Sequence, residues 1–168
     1  TKYETKLISG IYEILVNRTG AEIMQENLET LGEITYSEDE ITYANTILKE
    51  AGKPQLGING KVTPIQETLP AQGGSTDVGD VSQVVPTIRM SATVAADGGP
   101  WHSWAVVACT GMSIGHKGMI YAAKALSMTM ADLYKNPKLV EAVKADYKKN
   151  KMPEAYKSRI LPGPPSLE

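Results

Sequence analysis

Few side chains in this sequence can carry chemistry. Histidine occurs twice, at His102 and His116, and cysteine once, at Cys109. His102 sits in Gly98-Gly99-Pro100-Trp101-His102-Ser103-Trp104, between the only two tryptophans. A histidine on a tight turn between bulky rings can present one ring nitrogen in a fixed direction, which suits a metal ligand. It equally suits packing at a loop edge with a bond to a carbonyl. His116, in Ser113-Ile114-Gly115-His116-Lys117-Gly118, falls in the first turn of a predicted helix, where a structural or substrate-facing role is expected. The separation of fourteen residues between the two histidines is not a recognised ligand spacing. Cys109, in Val106-Val107-Ala108-Cys109, reads as a small core residue.

The second candidate is the run Gln72-Gly73-Gly74-Ser75-Thr76-Asp77-Val78-Gly79-Asp80. Adjacent glycines allow close approach of backbone to a ligand, and Ser75 and Thr76 add hydroxyl groups. Asp77 and Asp80 are suited to orienting a histidine or accepting from backbone amides; a plain turn is an equal reading. The run lacks the Gly-Lys-Ser/Thr of a phosphate-binding loop. The chain also has no clear Gly-x-Ser-x-Gly elbow or Ser-His-Asp order.

The elements that must position these residues read as α/β with few strands. Lys6 to Val16 is β-branched and apolar enough for one strand, bulged at Gly10. Thr19 to Glu22 has capping-box spacing ahead of the stripe Ile23, Met24, Leu28 and Leu31, with Gly32 as the stop. A second box, Ser37 to Glu40, precedes Ile41, Ala44, Ile47 and Leu48, and Gly52 then Pro54 end that helix. Periodicity is lost from Lys53 to Gly79, as in functional or mobile segments. Ile88, Met90, Ala92 and Val94 alternate with Arg89, Ser91 and Thr93, the pattern of a half-buried strand. Ser113 is expected to cap a long helix, with Met119, Ala123, Leu126, Met130 and Leu133 expected to face a core. Asn136-Pro137 opens another helix, with Leu139, Val140, Val143 and Tyr147 on its apolar face. The proline-rich end beyond Asn150 is expected to wrap as an extended arm.

Composition sets the remaining bounds. The chain has 168 residues, with 17 Lys+Arg against 19 Asp+Glu and a net charge of -2. One folded domain is the simplest expectation at this length. Near-neutrality gives no electrostatic reason for a nucleic-acid or anionic-membrane partner. A single cysteine forbids an internal disulfide. The longest uncharged stretch, Gly98 to Gly115, contains Pro100 and several glycines and reads as loop and short strand, not as a membrane span. Thr1-Lys2 opens without a signal pattern, so the chain is expected to begin inside a longer gene product. Leu167-Glu168 resembles the junction before a purification tag. Cytoplasm is the expected compartment.

Taken together, Gly74-Ser75-Thr76-Asp77-Val78-Gly79-Asp80-Val81-Ser82, then Trp101-His102-Ser103-Trp104, then Ser113-Ile114-Gly115-His116-Lys117-Gly118-Met119, resemble the C-terminal part of the dinuclear-metal amidohydrolases and peptidases (peptidase family M-20, subfamily D-like). Within that family they are most similar to the aminobenzoyl-glutamate branch. The resemblance implies an α/β, three-layer zinc-peptidase-like catalytic domain. Residues 1-16 would then be a strand leaving the lid (dimerisation) domain, 17-152 the C-terminal lobe and 153-168 a tail. It implies that His102 is a metal ligand, that Gly74 and Ser75 contact substrate, and that Asp77, Asp80 and His116 support them. For the parent enzyme it implies two divalent ions, zinc or manganese, and hydrolysis of an amide bond in a small N-acyl amino acid by metal-activated water. The other metal ligands and the glutamate base would precede the lid, so this chain alone is expected to be catalytically silent. Implied partners are a second copy through the lid or a sister subunit. A non-catalytic binding module is the alternative.

Overall fold

The computed structural model describes residues 1–5, 7, 9–66, 74–160 and 162–163. Lys6, Gln72, Gly73 and the Leu167-Glu168 pair, all singled out in the sequence, lie outside the described residues, as does part of the proline-rich end. Six helices follow one another among them: α1 (Arg18–Leu31), α2 (Glu38–Glu50), α3 (Val78–Val84), α4 (Trp104–Thr110), α5 (Ser113–Lys135) and α6 (Pro137–Asn150). The chain divides into two compact units, one of Thr1–Gly20, Gln66–Ile88 and Lys138–Glu168, the other of Ala21–Ile65 and Arg89–Pro137. Among the described residues no helix is long and apolar enough to cross a membrane.

The expected α/β layering is not found: the described residues form helices and no strand or sheet. In the first unit the reason is visible at the backbone. Among the described residues of the segment expected as a strand, side chains of α3 take backbone hydrogen bonds. Asp80 Oδ2 accepts from Tyr12 N at 3.3 Å, Ser82 Oγ accepts from Leu15 N at 2.8 Å, and Gln83 Nε2 donates to Glu13 O at 3.1 Å. A backbone satisfied by side chains leaves no ladder for a second strand to join. Gly79 permits this approach, because a Cβ there would collide with Tyr12 O. The tail joins the same cluster: Tyr156 donates to Asp80 Oδ1 at 2.8 Å, and the Arg159 guanidinium lies 4.5 Å from the Tyr12 ring centroid. Asn17, not Thr19, caps α1, with Oδ1 accepting from Gly20 N at 2.8 Å and Nδ2 donating to Val143 O at 2.8 Å.

The second unit is built on α2, α4 and α5. Ala44, Ile47, Leu48, Ala96, Ala105, Cys109 and Ile114 form its core. α2 begins with the expected capping box at Ser37 and Glu40. It ends in a Schellman motif, with Gly52 at φ 67°, Lys53 N bonded to Leu48 O and Gly52 N to Lys49 O. Helix α4 replaces the loop and short strand expected there. Ser103 caps it by accepting from Ala105 N at 3.2 Å, and a capped run can go helical despite two valines. Exposure alternates from Ile88 to Ala92 as a half-buried strand would, yet no ladder forms. Along α5 the expected face is displaced. Met119, Leu126 and Met130 are exposed, while Ile114, Gly118, Ala125 and Thr129 are buried.

Candidate functional site

His102 stands on a turn that the preceding residues define closely. Asp97 N donates to Gly57 O, Gly99 N to Ala96 O, and Gly98 takes φ 72°. Ser103 Oγ, besides capping α4, donates to Pro100 O at 2.6 Å. Between these ties His102 adopts φ 58°, the one non-glycine residue at positive φ among those described. An L-residue there costs about 1 kcal/mol or more, and such positions cluster at functional sites. The imidazole is exposed, and so are Trp101 and Trp104 at 69% and 53%. The two indoles flank the histidine in sequence without burying it.

The glycine-rich loop belongs to the first unit. Gly74 takes φ 145°, Gly74 and Ser75 are exposed, and Asp77 occupies the N-cap position of α3 without a side-chain cap bond. Thr76 Oγ1 accepts from Val78 N at 3.3 Å. Asp80 is half-buried and accepts from the Tyr12 amide and the Tyr156 hydroxyl, which raises the Tyr156 pKa by favouring its protonated form. Its bonds are to backbone and phenol, within the first unit, and it orients neither histidine among the described contacts.

The strongest electrostatic arrangement lies elsewhere, around Glu40. Its carboxylate accepts from Ser37 N at 2.7 Å, from Ser113 Oγ at 2.6 Å and from Lys117 Nζ at 2.5 Å. These donors, Lys117 first, hold its pKa down to about 2. Lys117 also donates to Thr35 O at 2.9 Å and sits 5.4 Å from the centroid of the Tyr36 ring. Burial, and then the Glu40 charge, push Tyr36 up to about 12. Beside this network a groove of about 500 Å³ runs between the α1–α2 connection and α5, and His116 lines it. The capping box of Glu40 was legible in sequence. Its partners on α5, 73 and 77 residues away, were not.

Among the described residues no three of His, Cys, Asp and Glu come together as a metal-binding group. His102 fits one donor position: exposed and held on a fixed turn. A metal centre needs three or four donors, so these described residues do not make one by themselves.

No family model matches the chain, and no solved structure matches it. The chain is similar to a subunit of the p-aminobenzoyl-glutamate hydrolase of Escherichia coli (strain K12). The two are 28% identical over 172 residues, covering 88% of this chain and 36% of that protein. This chain therefore spans about a third of the length of the curated relative it matches. The likeness is to a hydrolase subunit.

Proposed function

We propose that this chain is one portion of an amide hydrolase of the dinuclear-metal amidohydrolase type, acting on a small N-acyl amino acid such as aminobenzoyl-glutamate. The likeness to a named hydrolase subunit over 88% of the chain carries the reading. His102 is the residue it rests on locally: its left-handed backbone keeps an exposed ring on a tied-down turn, as a single donor to a shared metal site requires. Gly74 and Ser75 are the proposed substrate contacts, with Asp77, Asp80 and His116 in support. Zinc or manganese are the ions such a site would take.

The test is amide hydrolysis by the full-length parent, supplied with aminobenzoyl-glutamate and manganese or zinc. The expected result is chelator-sensitive release of aminobenzoate, with His102→Ala lowering both bound metal and rate by about 100-fold or more. Unchanged metal content and rate in that variant overturn the assignment of His102.

A second reading, a subunit that acts only with a partner, is favoured by one observation. Trp101, Trp104 and Val107, with Met119, Leu126, Met130 and Tyr134 of α5, expose large apolar side chains. Apolar side chains left in the open along α5 are suited to cover by other polypeptide. Absence of cleavage by a folded, metal-loaded parent, restored by a sister subunit, is the outcome that selects it.

A further inference from the structure

We propose that Tyr156, in the tail beyond α6, is a positioning residue for the loop at residues 74–76 and acts on it through Asp80. What the loop binds rests on the hydrolase reading; how the tail holds it does not.

The contacts lie within the first unit. Both oxygens of the Asp80 carboxylate are engaged: Oδ1 accepts from the Tyr156 hydroxyl at 2.8 Å, and Oδ2 accepts from Tyr12 N at 3.3 Å. Bonds to a carboxylate are among the stronger hydrogen bonds, and the shorter of these two comes from the tail. The tail is itself placed by Tyr12. Tyr12 Oη donates to Lys157 O at 3.1 Å, and the Tyr12 and Tyr156 ring centroids stand 5.5 Å apart. The Arg159 guanidinium lies 4.5 Å from the Tyr12 ring centroid.

Asp80 in turn holds the end of α3 that the loop enters. Its backbone N donates to Asp77 O at 3.0 Å, and Gly79 N donates to Thr76 O at 3.3 Å. The loop does little to hold itself, because Gly74 and Ser75 are exposed and Asp77 makes no side-chain cap bond. Helix α3 has seven residues, too few to stand without tertiary ties. Ser82 and Gln83 tie its later residues to Leu15 N and Glu13 O. Asp80 ties the first turn, next to the loop. Loss of the Tyr156 donor therefore loosens the loop end of α3 and leaves the far end held.

The decisive variant is Tyr156→Phe in the full-length parent, which keeps the ring and removes the donor. The expected result is a KM for aminobenzoyl-glutamate raised about three- to tenfold, with kcat and bound metal unchanged. Arg159→Met loosens the same tail without touching Asp80 and should leave KM as it was. In an Asp80→Ala background, Tyr156→Phe should add nothing. In the chain by itself, Tyr156→Phe should speed hydrogen exchange of the Gly79 and Asp80 amides about three- to tenfold and leave Val85 unaltered. An unchanged KM, an equal rise from Arg159→Met, additive effects with Asp80→Ala, or lost metal each overturn the proposal. A parent that cleaves no amide overturns the hydrolase reading instead. The exchange rates then decide this proposal alone: unaltered rates at Gly79 and Asp80 overturn it, and faster ones uphold it.

Discussion

Glu40 shows what a single side chain can do once the chain has folded. In sequence it is the fourth residue of a capping box; in the structure it joins the start of α2 to the first two turns of α5 through Ser113 and Lys117. Its folded pKa lies at about 2, below the ordinary value of 4.5. The ionised form is therefore the stabilised one, so the contribution is full above pH 4.5 and is lost as pH falls from there towards 2. Glu40→Gln should lower stability at neutral pH by about 1–3 kcal/mol and flatten the acid limb in that window. Urea midpoints at a series of pH values check this; an unaltered acid limb would show that other carboxylates control it. His102 carries the opposite kind of information. Its turn, with Gly98-Gly99-Pro100 before it, was legible from residue type, but nothing in the sequence states that His102 itself takes the left-handed conformation.

Among the elements, α5 departs furthest from its pattern. Its apolar residues Met119, Ala123, Leu126, Met130 and Leu133 repeat at helical spacing, and that stripe, of which only Leu133 is half-buried, is the natural core face to read from sequence. The buried face is the neighbouring one, at Gly118, Ala125 and Thr129, one residue and hence about 100° round the helix. Small side chains win because they let other backbone come close: a Cβ on Gly118 would strike Thr93 O. Thr129 in turn receives Asn27 Nδ2 at 3.1 Å, placing α1 against this same face. Ala125→Leu should therefore destabilise the chain by about 1–3 kcal/mol, whereas Met119→Gln and Met130→Gln should each stay within about 0.5 kcal/mol. Thermal or urea unfolding of the three variants decides it, and the reverse ranking would restore the expected face. Among the helix ends, Ser37, Gly32 and Gly52 act where residue type placed them, because caps and stops are local bonds. Asn17 and Met112, not Thr19 and Ser113, hold the N-cap positions of α1 and α5.

For the molecule as a whole, helical content and the absence of sheet among the described residues bear directly on function. The only potential metal donor of the proposed reading that stands on a defined, exposed turn is His102, and no group of three donors forms among those residues. The chain alone should accordingly give no detectable hydrolysis of aminobenzoyl-glutamate with zinc or manganese. A chelator-sensitive rate from the chain alone would show that it carries a complete centre. Near-neutral charge was readable from composition at once and bounds the partners in the same way before and after folding.

Residue order was enough for the local features: the boundaries and caps of α2, the start of α6 at Pro137, the turn that carries His102, and the near-neutral charge. Each of these depends on residues within a few positions of one another, or on composition alone. Whether extended segments became strands, which face of α5 was buried and what Glu40 bound were settled only by tertiary packing. Each of those outcomes is a contest for partners between residues distant in the chain. For the opening segment, side chains of α3 won the backbone bonds that a neighbouring strand would have needed.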